Sequence, residues 1–178
     1  MPPRNGIAPV LMLHAMSYEL IPRWLDWARR KATPDDLLRA FDAGVAPVDV
    51  RGLAFALGAR IVEDPRAGFA GAVQSSPEGA ATITLRATEP EYRKRFTIAH
   101  ELGHLIVHGP GLHFRDHESF AGDFRETEAN NFAARLLLPG YLLRPLIGKY
   151  STNTLASLFA VSPTAMEIRI ERLARGEQ

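Results

Sequence analysis

Apolar positions change their period twice along the chain. Leu20, Ile21, Trp24, Leu25 and Ala28 recur at helical spacing, so residues 17–43 read as helical, with Pro34-Asp35-Asp36 starting a shorter helix through Leu37, Leu38 and Phe41. In "APVDVRGLAFALG", Leu53, Ala54 and Leu57 form the buried stripe of another helix, which Gly58 closes. Three strand-like runs follow, "ARIVED", "GFAGAVQ" and "ATITLRA"; the last alternates well, and Ser75–Gly79 supplies turn residues before it.

Helical periodicity then returns. In "TEPEYRKRFTIAHELGHLIVHGPG", Thr88 and Glu91 have the spacing of a capping box, Pro90 suits a first turn, and Gly109-Pro110-Gly111 ends the helix. A polar loop through Phe120 leads to "DFRETEANNFAARLLLPG", whose stripe is Ala129, Phe132, Ala133, Leu136 and Leu137 and whose stop is Pro139-Gly140. Two shorter helices, roughly 152–160 and 163–175, complete the chain. Helices, a small sheet, then helices predict an α+β fold. It divides into an N-terminal helical extension (1–45), a core (46–150) and a C-terminal helical hairpin (151–178).

Composition narrows the setting. The chain has 178 residues and no cysteine, which excludes disulfides and thiolate metal sites and fits a cytoplasmic protein. A net charge of +1 gives no global attraction to nucleic acid or membrane. Arg4 and the apolar run Ile7–Leu13 faintly resemble a signal sequence, but Pro9 interrupts the run and no small-residue cleavage site follows. Nothing approaches the ~20 apolar residues of a membrane span.

The chemistry concentrates in His100-Glu101-Leu102-Gly103-His104. Two histidines four apart share a helix face and can hold one Zn²⁺, while the intervening glutamate can act as general base towards a water whose pKa zinc lowers. Gly103 thins the helix where a substrate or a neighbouring chain can come close. A third ligand must come from elsewhere. His108 continues the ladder, but on an α-helix it lies ~12 Å along the axis from His100, which leaves it an outer position or substrate contact. His113 and His117 in the following loop stay open as ligands. On the next helix, Glu126 and Asn130 share an edge of the apolar stripe, whereas Glu128 falls with Asn131 and Arg135 on the polar side. Glu126 is therefore favoured over Glu128, and Asn130 is placed to hold the His100 ring.

Together, "RKRFTIAHELGHLIVH" and "ETEANNFAARLLLP" resemble the ImmA/IrrE family of metallopeptidases, and the similarity spans about residues 45–175. The resemblance implies a zincin-like, gluzincin-type fold with an active-site helix packed on a small sheet. It implies zinc held by His100, His104 and Glu126, and Glu101 as base. It also implies a protein substrate, typically a DNA-binding repressor or an antitoxin-like regulator. Asn130 stands where related zincins place an aspartate. His108, His113, His117 and Tyr141 are the candidates for stabilising the oxyanion.

The C-terminal hairpin carries the alternative, a DNA-associated regulator with a structural or vestigial metal site. Ala156, Leu158, Phe159, Val161, Met166, Ile168 and Ile170 can form a helix-turn-helix core, with Ser162 and Pro163 starting its second helix. Arg169, Arg172 and Arg175 would then approach phosphates. Glu167 and Glu171, interleaved among them, favour a packed hairpin instead.

Overall fold

The computed structural model describes residues 27–28, 30–76, 79–109, 113–115 and 124–177. The helical reading of residues 17–26, the signal-like run, Pro110-Gly111 and His117 lie outside them. Helix α1, Pro34–Ala40, is started by a reciprocal cap: Thr33 accepts from the Asp36 amide while Asp36 accepts from Thr33. Helix α2, Val50–Ala56, is capped by Asp49 and buries Leu53 and Ala54. Gly58, at φ +87°, turns the chain into the sheet.

Four strands form that sheet: β1 (Ala59–Asp64), β2 (Gly71–Ser75), β3 (Ala81–Arg86) and β4 (His113–Arg115), in the order β1-β3-β2-β4. The second strand is shorter than the run "GFAGAVQ" suggested. β3 pairs parallel to β1 and antiparallel to β2, and β4 is an antiparallel edge on β2. Alternation in β3 sends Ala81, Ile83 and Leu85 into the core. There they join Ile98, Ala99 and Leu102 of helix α3, Glu91–Gly103.

The start of α3 differs from the capping-box expectation. Pro90 is the N-cap and supplies no side-chain bond, so the helix begins three residues after Thr88. Glu89 precedes proline, which disfavours helical backbone there, and Glu91 reaches Arg51 at 3.2 Å instead of returning to Thr88. Further along, Arg95 donates to the carbonyls of Val48 (2.8 Å) and Ala160 (3.2 Å), tying α3 to segments far away in the chain. Past Gly103 the helix continues as a π turn, His104–His108, and ends at Gly109 with φ +84°.

Helix α4, Phe124–Leu137, buries the stripe its periodicity predicted: Ala129, Phe132, Ala133, Leu136 and Leu137. It crosses α3 at Gly103. A Cβ there would lie 3.1 Å from Ala129 Cα and 3.2 Å from its carbonyl oxygen. The thinning of α3 thus admits a neighbouring helix backbone. After the short helix α5, Gly140–Leu143, the hairpin of α6 (Thr152–Phe159) and α7 (Pro163–Ala174) packs back on the same core through Leu155, Phe159, Met166 and Leu173. Ser162 caps α7 as expected. Leu158 and Ile168, assigned to the hairpin core from sequence, are exposed; Leu155 is buried instead because the hairpin packs on the protein and not on itself alone.

Gly103→Leu places a side chain against the Ala129 backbone and is expected to cost about 1–3 kcal/mol through overpacking. Urea denaturation measures this, and an unchanged midpoint would refute the tight crossing.

Candidate metal centre

The helical spacing of His100 and His104 and the helix crossing bring three donors together. His100 and His104 are 5% and 1% exposed, and their Nε2 atoms lie 3.0 Å apart. Glu126 faces both, with Oε2 3.2 Å from His100 Nε2 and Oε1 3.2 Å from His104 Nε2. A tetrahedral ion with bonds of ~2.0–2.1 Å has ligand–ligand edges of about 3.3–3.4 Å. The three atoms thus approximate one face of such a tetrahedron, and these residues could hold a metal ion.

Tautomer logic supports the fit. The Asn130 side-chain oxygen lies 3.0 Å from His100 Nδ1. That oxygen only accepts, so Nδ1 donates to it and Nε2 is the ring nitrogen left facing Glu126 at 3.2 Å. Burial, then the charges of His100, His108 and Arg125, push the His104 pKa down to about 3. At neutral pH that ring is uncharged, the form a metal requires.

Glu101 sits beside the pair and is 1% exposed. Space for it comes from β2: a Cβ at Gly71 would stand 3.1 Å from Glu101 Oε1 and 2.1 Å from Thr97 Cγ2. Gly71 belongs to the site for this reason. Sequence reasoning passed over it because Thr97 and Glu101 lie on another element far along the chain and no local pattern marks a glycine kept bare for a distant carboxylate.

The remaining candidates separate. Glu128 lies away from the histidine pair, with Oε2 3.7 Å from His108 Nδ1. His108 Nε2 is 3.2 Å from the Arg125 carbonyl oxygen, so the ring fastens the end of the π turn to the start of α4. Its ring centroid is 5.4 Å from that of His104, in keeping with side chains one helical turn apart. His104–His108 is a π turn, and such turns recur at functional sites. The Tyr141 hydroxyl lies against Gly44. His113 falls on β4.

Arg169 corrects an expectation for the hairpin. It is 4% exposed and donates through Nε to the Leu138 carbonyl at 3.0 Å, so it cannot approach phosphates from the surface. Arg172 is engaged by Asn131 and Arg175 by Glu171.

An α+β unit with two helix-borne histidines, a glutamate between them and a carboxylate on the next helix is a zincin-like metallopeptidase domain. Residues 54–171 match the family model of the IrrE N-terminal-like domain, peptidase M78. The match covers more than half of the 178 residues, and the chain belongs to this family of peptidases. No curated protein matches it. Among the described residues, no helix is long and apolar enough to cross a membrane.

Asn130→Ala is expected to weaken divalent-ion binding by about 10–100-fold, since the ring of His100 loses its orienting acceptor. Competition against a chromophoric chelator reads this directly. Glu128→Ala should leave binding unchanged, and equal losses in the two variants would contradict the distinction between the two edges of α4.

Proposed function

We propose that the chain is a zinc-dependent endopeptidase that hydrolyses a peptide bond in a protein regulator, a repressor or an antitoxin-like partner. The observation that carries this reading is the convergence of His100, His104 and Glu126 with Glu101 buried beside them. The regulator as substrate rests on the family resemblance.

His100, His104 and Glu126 are the zinc ligands in this reading, two neutral donors and one anion, a set that suits a borderline-soft dication. When bound, zinc lowers the pKa of water towards neutrality and polarises the scissile carbonyl. Asn130 holds the His100 ring through Nδ1 and keeps its Nε2 directed at Glu126. Glu101 takes the proton from the attacking water at a carboxylate oxygen and returns it to the amine nitrogen as the C–N bond breaks. Thr97 and Gly71 pack around Glu101 and fix its orientation. The burial of Glu101 limits exchange of its proton with bulk solvent between the two transfers.

Zinc-reconstituted Glu101→Gln should keep one zinc per chain and lose about 10²–10⁴-fold in cleavage rate, the usual worth of a positioned base. Plasma emission gives the metal, and mass spectrometry of the candidate regulator gives the cut. Wild-type chain that retains no zinc after reconstitution, or a glutamine variant that cuts normally, would remove the proposal.

Gly71→Ala probes the cradle. Its Cβ must displace Thr97 or Glu101, so kcat should fall while zinc content stays at the wild-type level. Undiminished kcat would show that Glu101 tolerates the intrusion.

A further inference from the structure

A groove of about 490 Å³ runs between α3, α4 and α7, within the ~300–1,000 Å³ of ligand pockets. Leu137, Leu138 and Ala134 line it from α4 and the residue after it, and Phe96 and the exposed Ile168 line it from α3 and α7. Two properties set it apart from an ordinary seam between helices.

It adjoins the candidate metal centre on the Nδ1 side of His100. Asn130 lines the groove and bonds His100, while Phe96 lines it with its ring centroid 6.3 Å from that of His100. Phe96 precedes His100 by four residues, and Asn130 follows Glu126 by four. Groove and donor cluster therefore occupy the same faces of α3 and α4.

Its charge is also of one sign. Arg93, Arg169 and Arg172 line it and no acidic residue does; outside the lining, Glu89 lies 3.6 Å from Arg93 and Glu177 3.9 Å from Arg172. Arg169 is 4% exposed, and the positive charges of Arg135, Arg144 and Arg172 act on it along with the negative charge of Asp35. Among the described residues, no carboxylate forms an ion pair with its guanidinium; its hydrogen bond is to the Leu138 carbonyl. A buried cation held in that way favours an incoming anion.

We propose that this groove receives the substrate polypeptide next to the scissile bond and selects a segment in which a large apolar side chain neighbours an aspartate or glutamate. The proposal rests on the peptidase reading above. The apolar wall takes the side chain, and Arg93 at the exposed rim takes the carboxylate, with the buried positive charge of Arg169 behind the wall. Nucleic acid fits less well, because phosphates are met by exposed cations. Here Arg169 lies behind apolar residues and Arg172 is held by Asn131, which leaves Arg93 exposed at the rim, a single cation that suits one carboxylate better than a run of phosphates.

Zinc-loaded full-length Glu101→Gln, which should bind without cutting, is used to select linear peptides from a random phage-displayed library. Enriched sequences are expected to carry a large apolar residue adjacent to Asp or Glu. Fluorescein-labelled synthetic copies should bind about tenfold or more weakly to chains that also carry Ala134→Trp or Arg93→Glu, a loss of at least one decade in affinity. Arg175→Glu, outside the groove, should bind as the parent does. Thr164→Trp at the exposed rim replaces Ala134→Trp if that variant does not fold. Enrichment of nothing, or of peptides lacking this pattern, overturns the proposal, as does unchanged affinity in the groove variants. So does a result in which those variants instead abolish duplex DNA binding or self-association. If wild-type chain binds the selected peptides through the groove yet leaves them intact, the peptidase reading falls and the groove assignment stands.

Discussion

Gly103 meets the backbone of Ala129 with no side chain between them, and that contact sets the reach of every donor at the site. Interhelical distance depends on the side chains at the crossing, and a bare glycine gives close approach. Glu126 lies three residues before Ala129, one turn nearer the start of α4, and its short side chain must span the remaining gap to two imidazoles. A bulkier residue at 103 would withdraw the carboxylate from both rings together. Ile98 and Leu102 of one helix and Ala133 and Leu136 of the other enter one core. The hydrophobic packing that stabilises the fold is thus the same packing that aligns the donors.

That arrangement concentrates electron-rich atoms where water is scarce. Two ring nitrogens and a carboxylate converge at 3.0–3.2 Å, a donor set suited to one cation. An ion that binds the folded chain and not the unfolded one would favour the folded state by mass action. At the periphery, His108 joins the π turn to the Arg125 carbonyl, so the last turn of one ligand-bearing helix is fastened to the first turn of the other.

Much of this could be read from the chain because the signals are local. The period of apolar residues located α2, β1, β3, α3 and α4 within a few residues. The wheel of α4 separated Glu126 and Asn130 from Glu128, since burial of a helix face is written at every third or fourth position. Long-range competition was not legible. Glu91 left Thr88 for Arg51, a residue forty positions earlier. Leu158 and Ile168 lost the core to Leu155 once the hairpin packed on α3 and α4. The π turn adds a residue to a helical turn without any composition that marks it, and Gly71 serves a glutamate on another element. Each miss arises where a contact distant in sequence outweighs a local preference.

The tie between His108 and Arg125 also bears on how the chain can vary in length. Residues 109–123 connect two helix ends that are already held together by a hydrogen bond, a tight crossing and a shared set of donors. Closing such a connection costs little more when it lengthens, about 0.6 kcal/mol for each doubling. The geometry of the donors is therefore insulated from the size of the segment between them. Extra chain inserted there would leave the arrangement of His100, His104 and Glu126 as it is.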